Sequence, residues 1–209
     1  MKNIKITIEY DGSRYCGWQM QKNEVTIQQK LEEALERLCE ERIQVIGSGR
    51  TDSGVHARGQ VANFTTNSRI PPERFSYALN SLLPPDIRVI DSEEVSMDFH
   101  ARFSAVAKTY RYSIVANRYG TAIGWQYYHH VPMALDLKAM EQAIRYFIGT
   151  HDFAAFMAAG SPVKSTVRTI YHTEMVKEQD IIHFFFTGNG FLYNMVRIMA
   201  GTLIDVGKG

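Results

Sequence analysis

Cysteine is nearly absent: Cys16 and Cys39 are the only two in 209 residues, and no Cys-x-x-Cys spacing joins them. A disulfide framework and a zinc site are thereby disfavoured, and a reducing cytoplasm fits. Long apolar runs are absent too; none approaches the ~20 residues that cross a bilayer, so no membrane partner is expected. The N-terminal stretch MKNIKITIEYDG alternates apolar and polar side chains and is not followed by a signal-peptide core. The most informative scarcity is of negative charge in particular windows. Overall the chain is balanced, with 23 basic and 22 acidic side chains and a net charge of +1. Yet between Glu41 and Glu73 the sole acid is Asp52, among Arg42, Arg50, Arg58 and Arg69. Between Asp98 and Asp136 there is none, while Arg102, Lys108, Arg111 and Arg118 are present. Between Asp180 and Asp205 the only formal charge is Arg197. The acids gather elsewhere, at Glu24, Glu32, Glu33, Glu36, Glu40 and Glu41. One reading is chance clustering on a solvated surface. The sharper reading is a basic face for a polyanion, which requires those segments to converge in space.

What the chain does contain is enough apolar material, 45%, for a sizeable core. Ile4, Ile6, Ile8 and Tyr10 alternate as in a strand, which Asp11-Gly12 ends. Residues 25–41 read as a helix with Ile27, Leu31, Ala34, Leu35 and Leu38 on one face and Thr26 as N-cap. A short strand at 43–47, a glycine-rich loop and a strand at 59–66 follow. Pro71 and Pro72 open a second helix, and IRVIDSEEV is strand-like. In the second half, residues 105–115 make a strand with Tyr110 and Tyr112 on one face and Thr109 and Arg111 on the other. Residues 136–147 read as helix, 167–177 and 181–187 as strands, and 191–206 as a last helix. The order strand, helix, strand, strand, helix, strand, taken twice, predicts an α+β protein. Its two similar halves, 1–104 and 105–209, are expected to carry antiparallel sheets that form a central sheet, with helices on one face and a cleft between halves.

The loop GSGRTDSGVHARGQ, residues 47–60, is the first candidate for chemistry. A P-loop ends in Gly-Lys followed by Ser or Thr, and this loop has no lysine. A metal nuclease needs several carboxylates together, and Asp52 is alone in its window. A purely structural alternative is that Asp52 caps the turn and pairs with Arg50, since Asp-Ser-Gly is good turn chemistry. The functional reading is one carboxylate acting as nucleophile or base beside arginines, which keep it ionised and hold substrate phosphates. Residues 99–135 contribute eight aromatics, Phe99, Phe103, Tyr110, Tyr112, Tyr119, Trp125, Tyr127 and Tyr128, interleaved with basic side chains. That is the pattern of a surface on which bases stack and phosphates are neutralised. The alternative is that about half of these rings simply face the core. His151-Asp152 admits an acid–base reading, with a helix-start cap as the plainer one. Arg197, on an apolar helix, is expected to be buried and to need a carboxylate, with Asp52 as candidate partner.

Taken together, RTDSGVHA (50–57), YDGSRYCGWQ (10–19), AKTYRY (107–112), HDFAAF (151–156) and GFLYNMVRIMAGTLIDVG (190–207) resemble, in order, the motifs of the tRNA pseudouridine synthase A family. The resemblance covers nearly the whole chain. It departs from the pattern at Cys16, where an aromatic or a histidine is frequent, and at Ser53, where alanine is common. Family members continue some tens of residues past the last helix, so the chain is expected to lack a final strand and loop near the active site. The resemblance implies a homodimeric, cytoplasmic isomerase without cofactor or metal, converting uridine to pseudouridine at positions 38 to 40 of the tRNA anticodon stem-loop. It makes Asp52 the catalytic carboxylate, attacking ribose or base or removing a ribose proton. It makes Tyr110 the ring that stacks on the target base and Arg197 the partner of Asp52. Arg50 is expected to help open the RNA, and Arg58, Arg102, Lys108 and Arg111 to meet phosphates. Against this stands a non-catalytic protein that binds structured RNA, and, more weakly, a small-molecule enzyme.

Overall fold

Ile4, Ile6, Ile8 and Tyr10 recur at period two along β1 (Lys2–Tyr10), and all four are buried. In the computed structural model, which describes residues 1–160 and 163–209, β1 pairs antiparallel with both β3 (Ala57–Thr66) and β4 (Ile87–Val95). β2 (Ile46–Gly47) extends this sheet at one edge, giving the order β2-β3-β1-β4. The inward face of β1 packs against α1 (Ile27–Cys39) and α2 (Phe75–Asn80) through Leu31, Leu35, Phe75 and Leu79, all fully buried. Each such side chain contributes about 1.5–3 kcal/mol of burial. Thr26 is the N-cap of α1, as expected: its hydroxyl accepts from the Gln29 amide at 3.3 Å. The register of β1 shifts against β4 between Thr7 and Ile8, and against β3 between Ile8 and Tyr10. These irregularities sit where the strand delivers the chain to residues 11–18.

By its internal contacts the chain divides into two compact units, Met1–Ala105 and Val106–Gly209. The first has the expected order of strand, helix, strand, strand, helix and strand. The second does not repeat it. Its sheet joins β5 (Lys108–Ala116), β6 (His129–Val131), β7 (Gly149–Asp152), β8 (Val167–Glu178) and β9 (Ile181–Gly188) in the order β6-β5-β9-β8-β7. The pairing is antiparallel except for β5 with β6, which is parallel. β6 and β7 escape sequence reading because HHV and GTHD are short and carry no apolar alternation. α3 (Leu137–Ile144) and α4 (Met195–Lys208) bury Met140, Ile144, Met199 and Leu203 against Ile114, Phe184 and Phe186 of the sheet. α4 starts four residues later than its apolar pattern, because Leu192 is taken into a turn that ends on Asn194 in the left-handed region. The architecture is therefore α+β, with a sheet and two helices in each unit.

Candidate active site

Residues 48–56 run from β2 to β3, and the loop they form is held by backbone and side-chain hydrogen bonds. The Val55 amide donates to the Asp52 carbonyl at 3.2 Å, closing a turn whose third residue is Gly54 at φ 75°. A positive φ at that position is the type II arrangement, which favours glycine. At the loop's entry, the Ser48 amide donates to the Val61 carbonyl at 2.8 Å and Gln60 Nε2 to the Gly49 carbonyl at 2.7 Å.

The floor under the turn is the other glycine-rich motif, residues 10–18. The Trp18 amide donates to the Thr51 carbonyl at 3.1 Å, and the Gly54 amide to the Tyr15 carbonyl at 3.2 Å. Ser53 Oγ also donates to that carbonyl, at 3.4 Å. The Tyr10 hydroxyl and Thr51 Oγ1 share a hydrogen bond of 2.8 Å, and the Gly12 amide donates to His56 Nδ1 at 3.1 Å. Gly17 has φ 80°, and a β-carbon there would collide with the Thr51 carbonyl oxygen. One at Gly12 would collide with the Val55 carbonyl. The two motifs are thus one structure: a buried platform of Tyr10, Tyr15 and Trp18 carries the turn, and the turn carries Asp52 into solvent.

Within this unit, and among the described residues, neither a hydrogen bond nor an ion pair engages the Asp52 carboxylate. The alternative in which it caps the turn and pairs with Arg50 is therefore not what folds the loop; the Asp52 carbonyl does that work. Arg50 and Arg58, at the two ends of the loop, are both exposed. Arg102 is exposed as well, its guanidinium 5.7 Å from the centre of the Phe103 ring.

In the second unit Tyr110 and Tyr112 lie half-buried on one face of β5, while Thr109 and Arg111 are exposed on the other, as the alternation predicts. Lys108 is half-buried at the start of the strand. Tyr110 meets Phe191 edge-on, with ring centres 4.9 Å apart. Arg197 corrects its expectation: it is exposed on the first turn of α4, because the buried stripe runs through Met195, Met199 and Leu203 and leaves Arg197 outside it. Burial pushes the Tyr112 phenol pKa up, and the positive charge of Arg197 partly offsets that. Tyr110 with Phe191, and Tyr112 with Arg197, are so brought together on this unit. Phe191 was missed from sequence; its only signal was an aromatic beside the glycine of GFLYN.

One further expectation changes. None of the eight rings in 99–135 is buried; Phe103, Tyr119, Trp125 and Tyr127 are exposed, and the other four are half-exposed. The core takes its aromatics instead from Phe64, Phe75, Phe184 and Phe186. His151 and Asp152 do not form an acid–base pair. His151 Nε2 contacts the Ile148 carbonyl at 2.9 Å, and Asp152 accepts from the Ala154 amide at 3.0 Å at the start of the short turn Ala154–Phe156, the plainer of the two readings. Hydrogen bonds from Thr166 and from that amide hold the Asp152 carboxyl below the usual range. Among the described residues, no group of three or more His, Cys, Asp or Glu is placed to hold a metal ion, and no helix is long and apolar enough to cross a membrane.

The family model for tRNA pseudouridine synthase matches residues 6–104 and 143–209. The chain is 52% identical over 209 residues to tRNA pseudouridine synthase A of Acetivibrio thermocellus, covering 100% of this chain and 86% of that protein. It is 50% identical over 208 residues to tRNA pseudouridine synthase A of Clostridium acetobutylicum, covering 100% and 85%. It is 53% identical over 210 residues to the same-named protein of Clostridium botulinum strain Eklund 17B, covering 100% and 86%. With the Asp52 turn built from two of the motifs, and matches of this extent, the chain belongs to the tRNA pseudouridine synthase A family and is an isomerase.

Proposed function

We propose that this enzyme isomerises uridine to pseudouridine at positions 38 to 40 of the tRNA anticodon stem-loop, with Asp52 as its catalytic carboxylate. In that reaction the bond from ribose C1′ to N1 of uracil breaks and the uracil turns. C1′ then bonds to C5, the C5 proton leaves, and N1 takes up a proton, so substrate and product are isomers. The observation that carries the reading is the Asp52 turn. It is held by backbone groups and by the side chains of Thr51, Ser53 and His56, while its one carboxylate is exposed in an acid-poor, arginine-flanked stretch. An exposed acid needed for folding would be tied into the turn.

Arg50 and Arg58 flank Asp52 on its own loop, and Tyr110 and Arg197 are the further residues proposed to meet the substrate. Tyr110, braced edge-on by Phe191, suits stacking on a base drawn out of its helix. Arg197, exposed and uncommitted to an acid of its own helix, suits a charge-assisted contact with the substrate. Arg102, Lys108 and Arg111 supply phosphate contacts. The enzyme works as a cytoplasmic homodimer. Unstacking the target costs about a few kcal/mol, which stacking and phosphate contacts offset. Asp52→Asn tests the reading through release of tritium from C5-labelled uridine in tRNA. We expect the rate to fall by about a thousandfold or more while tRNA affinity stays within about threefold. Wild-type turnover by this variant would remove Asp52 from the chemistry; unmodified 38–40 with modification elsewhere would reassign the target.

A further inference from the structure

Asp86 lies outside the loop, outside the motifs and more than thirty positions from Asp52 in sequence. It nonetheless holds one member, Tyr15, of the platform on which the Asp52 turn rests. Its Oδ1 accepts from the Tyr15 hydroxyl at 2.8 Å. Its Oδ2 accepts from Arg14 Nε at 2.9 Å and Nη2 at 2.6 Å. Its carbonyl accepts from the Asp11 amide at 2.9 Å. One residue, just ahead of β4, therefore fixes both ends of the short turn at Gly12–Arg14. The Tyr15 carbonyl in turn receives the Gly54 amide and the Ser53 hydroxyl, from the two residues that follow Asp52. Tyr15 is 6% exposed, so its ring has no room to swing, and a shift of its backbone passes directly to the Asp52 turn.

We infer that Asp86 is a positioning residue for the reaction, acting on Asp52 through Tyr15. The inference rests on the reading of Asp52 as the catalytic carboxylate. Burial opposes ionisation of Asp86, but the hydrogen bonds from Tyr15 and Arg14 outweigh it and hold the carboxyl below its usual range. It is therefore a charged acceptor at neutral pH, which a neutral amide replaces poorly. Loss of the charge loosens Tyr15, and small misplacements of a reacting group are expensive in rate.

Asp86→Asn keeps the shape and one acceptor oxygen. We expect kcat in the tritium-release assay to fall about ten- to a hundredfold, with KM and tRNA affinity within about threefold. Tyr15→Phe keeps the ring and the carbonyl but loses the hydroxyl, and should lower kcat in the same direction. The double variant should be no slower than the slower single one, since both break one link. Arg14→Ala separates the other branch: it should leave kcat within about threefold. Unchanged kcat in Asp86→Asn, with circular dichroism and thermal melting like the parent, overturns the inference. A rise in KM that accounts for the whole loss, or an equal loss in Arg14→Ala, overturns it too, because Asp86 would then serve an RNA contact through Arg14. Failure of the underlying reading has its own signature: Asp52→Asn stays active while Asp86→Asn behaves in either way.

Discussion

The carboxylate of Asp52 is available because every local hydrogen bond of its turn is made by something else. Val55 bonds to the Asp52 carbonyl, and Gly54 and Ser53 bond to Tyr15. Gly17 makes the close approach possible, since it sits at φ 80° and faces the Thr51 carbonyl without a side chain. Gly17→Ala incurs both penalties at once, a left-handed alanine and a collision with main chain that has no flexible end to move. We expect it to lose about 1–3 kcal/mol of stability by denaturant melting and most of its activity. A variant at Gly54, where an added β-carbon would meet open space, bears the conformational penalty alone and should be milder. Much at this scale was legible beforehand. The isolation of Asp52 among arginines is a fact of sequence, and so are the glycines. What the residues could not tell was which glycine meets which carbonyl, because that contact joins positions more than thirty apart.

Elements were readable wherever periodicity was strong. β1 and α1 show their buried faces directly, and Thr26 announces the start of α1. Thr26→Ala should cost about 1 kcal/mol in a denaturant unfolding curve, the ordinary worth of an N-cap hydroxyl, while leaving the turnover of the folded enzyme unchanged. β6 and β7 were not readable, being three and four residues long, with pairing set by β5 and β8 rather than by their own side chains. Arg197 shows a different limit. An apolar stretch around it suggests burial, yet at the helical period it lies on the side of α4 away from Met195, Met199 and Leu203.

For the whole molecule, net charge is a poor guide and its arrangement a better one. A chain of +1 binds a polyanion only through local basic segments, and the acid-free span 99–135 is also where the rings are left exposed. If Arg58, Arg102, Lys108 and Arg111 meet phosphates, each replaced by alanine should weaken tRNA binding evenly across tRNA sequences. Each should also reduce the slope of log affinity against log salt by about one. Filter binding from 50 to about 300 mM salt would read this, and an unchanged slope would free that residue from the phosphate role.

The sequence by itself determined the chemical inventory: an α+β pattern, one carboxylate among arginines, rings without acids, and five motifs in order. These are local properties, set by residue type and spacing. Only the tertiary structure decided that YDGSRYCGW is the floor of RTDSGVH, that Asp86 clamps that floor, and that Arg197 faces solvent. Those facts depend on hydrogen bonds between distant strands and on packing, which no spacing along one segment encodes.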